Sequence, residues 1–452
     1  MKRFWLVLLS LGLIVAFSTS AMAVDVKFSG EYYAAGMYLD KTTLKKDSGV
    51  DGPSTAFYFQ RLRLTTTFIV SPGLMLTTRA DIMERAWGAQ RANVPLVSTL
   101  DTMSSGTRAE NENIAFDLAY LTYVSPIGAF LVGYVIDGAW GTVFGDTSQP
   151  TPRITYLLQK GGFTASVMMG KIPDGERSMG TFQSAVAAAD RDDNFYTAFV
   201  KYAWKGGEAG FLGKYFRYAG NRDFIPGVAG YQVNQYVVVP YAKAKLGPVA
   251  LQAELTYAFG KAPKWEGTAI PGVTVDKDLS AVSAWIDATA DFNMFYAGGS
   301  LAYMSGDDLG TADKVEGGLT GGRDWNPCLI MFNQDRTYWA GNLAGYGATT
   351  NGAPMSNAYF AQLRAGVRPV EKLDIMASLS WAHADKTLAT TWESREYGYE
   401  VDVTATYKIT NNLSYMLGGG YWFVGDWYKG VGGVGTDLSK EFMVINKLTL
   451  TF

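Results

Sequence analysis

His383 is the single histidine of the 452-residue chain, and Cys328 its single cysteine. Hydrolytic chemistry on a histidine needs a nucleophile beside it and a third group that orients the ring. His383 stands in SWAHAD, two residues before Asp385, and an i, i+2 pair shares one face of a strand. Asp385 is thus a possible orienting carboxylate, but no GxSxG-type segment supplies the nucleophile. We read His383 as a histidine at the end of a strand near a loop, assign no catalytic residue and expect no enzyme. One histidine and one cysteine exclude a His/Cys metal cluster, and a lone cysteine excludes an intramolecular disulfide. The acidic runs RDDN (191–194) and SGDDLGTAD (305–313) could offer oxygen ligands to calcium. Neither has the twelve-residue ligand spacing, so both are read as solvated loop charge. No metal and no cofactor are expected.

The other charges recur with a spacing of two. Arg61 and Arg63 share one face of RLRLTTTFIV, and Arg79 and Asp81 follow across a tight turn. Lys243 and Lys245 form a second basic pair, with Lys201 two strands earlier, and Arg364 and Arg368 a third. Asp117, Glu254, Asp287, Asp291, Asp374, Glu400 and Asp402 stand against them. Rings of one sign select ions of the other. Here the signs nearly balance, which suggests a field across a water-filled bore that admits small polar solutes. We expect Arg61, Arg63, Arg79, Asp81, Lys243, Lys245, Arg364, Arg368, Asp374, Glu400 and Asp402 to line that bore. Asp374, Glu400 and Asp402 are expected as acidic partners near Arg364. A simpler role for the same residues is to hydrate the lumen and pair across strands.

Alternation supplies the elements that hold these charges. EYGYEVDVTATYKIT places Tyr399, Val401, Val403, Ala405, Tyr407 and Ile409 on one face, opposite Glu400, Asp402, Thr404, Thr406 and Lys408. VALQAELTYAFG sets Leu251, Ala253, Leu255, Tyr257 and Phe259 against Gln252, Glu254 and Thr256. A period of two over ten residues or more means long strands with one apolar and one polar face. Eight tight turns punctuate them, at 71–73, 125–128, 160–162, 205–207, 246–248, 291–293, 369–372 and 410–412. Gly and Asn tolerate positive φ there and Pro presets its own. Longer loops fall between, at roughly 87–113, 173–193, 261–277, 305–355 and 427–439. Short turns on one side and long loops on the other predict a transmembrane antiparallel up-and-down β-barrel of about 18 strands (16–18), with periplasmic turns and extracellular loops.

Composition agrees. The chain carries 51 Gly, 27 Tyr and 14% aromatic residues, with only 18% charged, against about 25% charged in ordinary domains. The net charge of -3 argues against nucleic acid as a partner. Residues 1–23 pair a basic start (Lys2, Arg3) with an apolar core and close on Ala21-Met22-Ala23. They read as a signal peptide cleaved after Ala23, leaving one barrel domain over 24–452. Tyr202, Trp204, Tyr407, Tyr421 and Trp422 are expected near the membrane interfaces.

KLTLTF (447–452) alternates to its last residue, with Leu448, Leu450 and Phe452 toward lipid. It resembles the C-terminal assembly signal of bacterial outer-membrane barrels. DLAYLTYVSPIGAFLVGYVIDGAWGTVFGD (117–146) resembles a strand–turn–strand unit of Gram-negative porins and alginate-export-type barrels. The resemblance implies a porin-like channel in the outer membrane, contacting lipid and lipopolysaccharide and assembled through Phe452. A monomer and a homotrimer both fit an apolar outer face. Loop 305–355 holds Cys328 followed by Leu329 to Phe332, an apolar run that either narrows the mouth of the pore or packs over its rim. An export or uptake channel for an anionic polysaccharide, a non-conducting structural or adhesive barrel, and a sheath around a separate redox protein remain alternatives.

Overall fold

A computed structural model describes residues 24–47, 49–89, 114–137, 140–172, 191–222, 228–352, 354–433 and 435–452. The expected signal peptide and most of loops 87–113 and 173–193 lie outside those residues. Eighteen long strands run in chain order around one closed antiparallel ring. They are β1 (Asp25–Leu39), β2 (Thr55–Ser71), β3 (Leu74–Ala86), β4 (Ile114–Ser125), β5 (Gly128–Asp137) and β6 (Gln149–Lys160). Then follow β7 (Phe163–Lys171), β8 (Asn194–Trp204), β9 (Gly207–Tyr218), β10 (Ala229–Leu246), β11 (Val249–Gly267) and β12 (Asp278–Asp291). The ring ends with β13 (Phe295–Met304), β14 (Ala358–Val370), β15 (Leu373–Ala384), β16 (Glu396–Lys408), β17 (Leu413–Val424) and β18 (Glu441–Thr451). Each of the eight predicted tight turns joins two of these strands, so every short connection lies at one end of the barrel.

Closure explains the ending of the chain. β18 pairs with β17 on one side and with β1 on the other, from Glu31 opposite Thr451 to Leu39 opposite Met443. Gly30 and Phe452 exchange backbone hydrogen bonds of 2.8 and 3.1 Å at the seam. A Cβ at Gly30 would stand 2.7 Å from the Phe452 ring, so only glycine admits the aromatic there. In hydrocarbon an open sheet edge is prohibitive, and the ring leaves none.

The two faces follow the alternation. Tyr399, Val401, Val403 and Tyr407 on β16 and Leu417, Tyr421 and Phe423 on β17 are exposed on the outside. A surface this apolar suits lipid and not water. No helix among the described residues is long and apolar enough to cross a membrane; the strands do so. Trp422 departs from the expected aromatic belt. Its neighbours Tyr421 and Phe423 point out, so Trp422 points in, fully buried, and its indole donates to the Tyr397 carbonyl at 3.2 Å. β10 and β11 also run further than their alternation suggests. β11 continues to Gly267, through most of the first half of the expected loop 261–277, with Tyr231 and Trp265 packed across the extended hairpin at 4.9 Å.

Candidate functional site: a lumen divided by inward-folded loops

The β13–β14 loop enters the barrel instead of extending from it. Its apolar run lands on the inner faces of β14 to β17. Ile330 and Met331 donate their backbone N–H groups to the two Glu400 oxygens, each at 2.6 Å, and the Gln362 amide donates to the Pro327 carbonyl at 2.5 Å. Leu329 packs over Gly418 and Gly420, where an added Cβ would come within 3.3 Å of it. A one-turn-plus helix, α1 (Gln334–Ala340), is capped by Asn333 and sets Trp339 against Phe59 of β2, with ring centroids 4.4 Å apart. The loop holds its own shape through Arg336, which is fully buried and donates to the carbonyls of Ile330, Gly341 and Asn351 at 3.0, 2.8 and 3.1 Å. Burial lowers its pKa to about 10, with Glu400 and Glu441 opposing the shift, so it keeps its charge at neutral pH.

A second loop comes in from the opposite wall. Between β5 and β6, the Thr142 N–H and hydroxyl donate to Glu254 at 2.8 and 2.7 Å, and Phe144 stacks on Trp285 at 5.8 Å. The two loops meet where Gly322 N–H donates to the Phe144 carbonyl at 2.5 Å and Asp324 N–H to that of Asp146 at 3.1 Å. Burial pushes the Asp146 carboxyl up to about 6, against the hydrogen bond it accepts from Trp140 N–H, and the nearby Asp324 adds to the rise.

A polar cavity of about 570 Å³ lies between this loop pair and the wall of β2 to β4. Arg63, Arg79 and Asp117 line it from the wall, and Arg323, Asp324 and Asp335 from the loop. The wall charges are paired across strands: Arg63 binds Asp81 through two bonds of 2.7 and 2.6 Å, and Arg79 binds Asp117 at 2.9 Å. Arg61 lies 3.4 Å from Glu84 and 3.5 Å from Glu31, with its guanidinium over the Tyr33 ring. These pairs are part-exposed, so they fix side-chain direction more than they add stability.

The remaining predicted residues fall into four places. Lys243 lies 3.5 Å from Glu208, and Lys245 is exposed on the same side of β10 near its turn. Arg368 bridges Asp374 and Asp291, each at 3.0 Å. Arg364 is held by Asp287 at 2.7 Å, two strands away, across Gly298, where an added Cβ would stand 3.1 Å from its guanidinium. Asp374, Glu400 and Asp402 are therefore not the partners of Arg364. Glu400 and Asp402 are buried under the loop tip because the tip needs acceptors for its free N–H groups. Their carboxylates and the Cys328 sulfur come within 4.8 Å of one another, a grouping not foreseen from residue counts. Both Glu400 oxygens are already engaged by the loop, and burial, with Glu400 and Asp402 nearby, raises the thiol pKa, which makes Cys328 unreactive. At the barrel rim, Asp385 accepts from Gly306 N–H at 2.8 Å and from the Tyr303 hydroxyl at 3.2 Å, while His383 stacks on Trp381. The acidic runs serve their loops: Asp193 accepts from Ala219 and Gly220, and Asp308 pairs with Lys386 at 2.7 Å.

Sequence reasoning missed Arg323, Asp324 and Asp335, because nothing in a loop's sequence gives the wall it will face. One signal was present. Gly418-Gly419-Gly420 interrupts an otherwise strong strand, and glycine inside a strand marks a close approach of other backbone.

No protein-family model matches the chain, and no curated protein matches it significantly. Solved structures do match. Pseudomonas aeruginosa OccK9 (OpdG) superposes with a TM-score of 0.52 at 12% identity, over 95% of this chain and 99% of that one. OccK5 (OpdH) of the same organism gives 0.50 at 14% identity, over 95% and 98%, and OpdQ gives 0.50 at 13%, over 95% and 97%. At such identities the likeness is one of fold. The architecture is that of a Gram-negative outer-membrane, porin-like β-barrel.

Proposed function

We propose that the protein is an outer-membrane channel through which small hydrophilic solutes and ions diffuse passively. The observation that carries this is the charged cavity between Arg63, Arg79 and Asp117 on the wall and Arg323, Asp324 and Asp335 on the loop, lined by three cations and three anions. A barrel of 16 to 18 strands is wide enough for an aqueous bore, and the inserted loop narrows it. A conduit for a polyanion would need a predominantly basic passage, and this one is balanced. In this reading the chain is exported by a cleaved signal peptide, is assembled through Phe452 and sits among lipid and lipopolysaccharide.

The test is charge reversal at the wall. Arg63→Glu with Arg79→Glu changes the passage by four unit charges. At about 8 Å from a passing ion, screened at 0.1 M salt, each unit is worth about 0.2 kcal/mol. The sum is about 1 kcal/mol in favour of a cation and the same against an anion, or about a thirtyfold shift of the cation-to-anion permeability ratio toward cations. The reversal potential in a salt gradient reads it. A double variant with native selectivity would place the ion path elsewhere.

A further inference from the structure

We propose that the lumen also contains a binding pocket for a neutral, mainly apolar small molecule that carries a hydrogen-bond acceptor. It goes beyond the channel reading and does not require conduction. A cavity of about 420 Å³ lies against the inner faces of β5 to β11, within the size range of small-molecule sites. Leu157, Met168, Phe199, Leu212, Phe216 and Val237 line it, although inward positions of a water-filled barrel are ordinarily polar. Trp140, from the inward β5–β6 loop, covers one side. Its indole donates to the Val239 carbonyl at 3.2 Å and packs on Phe199, 4.5 Å between centroids.

The charged groups at this cavity are held by protein partners. Arg153 and Lys214 both bind Asp137, each at 2.7 Å, and Glu254 is occupied by Thr142. An apolar wall makes the desolvation of a charged ligand costly. Three polar atoms of the lining have no protein partner: Arg153 Nε, Thr155 Oγ1 and Thr197 Oγ1. Thr155 and Thr197 are only 6% and 5% exposed. Both stand level with Met168, on the strands either side of it, about 10 Å apart at two strand spacings. The guanidinium Nε–H donates and hydroxyls can donate, so each is satisfied by a carbonyl, ether or hydroxyl oxygen, and at that separation one oxygen serves one of the two threonines. An aryl ketone or alcohol combines that oxygen with the apolar body that the walls accept.

The probe is 4′-fluoroacetophenone, followed by fluorine NMR with the refolded protein in nanodiscs. Native protein should broaden the probe signal saturably. Leu212→Trp, which fills the cavity, should abolish the saturable part. Thr155→Val with Thr197→Val, which keeps the shape and removes the hydroxyls, should weaken binding about tenfold. 4-Fluorobenzoate should bind more weakly than the ketone. Equal, non-saturable broadening in all three proteins would reduce the effect to lipid partitioning and overturn the site, and tighter binding of the benzoate would overturn its neutral character. Saturable binding in a barrel that never conducts would leave the site standing and sink the channel. Conduction without saturable binding would do the reverse.

Discussion

Glu400→Ala should turn a restricted channel into a wide one. Glu400 accepts the two N–H groups at the tip of the inserted loop. Leaving a buried N–H group without its acceptor costs about 1–3 kcal/mol, so the two together cost the variant about 2–6 kcal/mol of docking. That is a large share of what holds one loop, since stacks such as Trp339 on Phe59 add only about 0.5–1.5 kcal/mol each. The eighteen-strand wall does not depend on this contact. Single-channel conductance should therefore rise severalfold, with the loop cut by an added protease at Arg323 or Arg336. Glu400→Gln keeps one acceptor oxygen and should give an intermediate conductance. Native conductance in Glu400→Ala, with the loop still protected, would show that the tip is held by its apolar contacts alone.

Truncation after Lys440 should abolish the fold. The deleted β18 pairs along its length with both β1 and β17, and its loss bares two sheet edges in hydrocarbon. Each unsatisfied backbone group there costs several kcal/mol, far beyond the stability of any domain. Refolding into detergent should yield no β-signal in circular dichroism and no heat-modifiable band. Deletion of Phe452 alone removes two backbone hydrogen bonds at the seam with Gly30 and leaves the ring of strands closed. It should refold in vitro nearly as the native chain does, yet accumulate poorly in the outer membrane of cells. That split separates closure of the sheet from recognition of the terminal aromatic by the assembly machinery. A truncated chain that still gives a heat-modifiable band would refute closure by β18.

The wall was far more legible than the lumen. A period of two fixes which face each residue takes, so Arg61, Arg63, Arg79 and Asp81 could be placed on one face of the two strands joined by the 71–73 turn, and across that turn Arg63 meets Asp81. The same rule, applied strictly, turns Trp422 inward; its place near a strand end suggested an interfacial tryptophan. What strands do not encode is depth or cover. Asp287 is separated from Arg364 by nearly eighty residues, and they meet because β13 between them carries glycines. Glu400 and Asp402 look like bore residues until the apolar run at 329–332 is seen to need a polar anchor. The apolar lining of β6 to β10 was also hidden, because a strand with Leu, Met and Phe on both faces shows little alternation.

The most direct test is ion current through the refolded protein in a planar bilayer under a salt gradient. Discrete ohmic steps with a small reversal potential are predicted, because both signs of charge line the space between the inserted loop and the wall of β2 to β4. Steps with strong anion selectivity would contradict the mixed-charge passage and move the reading to a dedicated anion channel. A correctly folded barrel that never conducts would contradict the open pore, and the two joined loops would then be a plug.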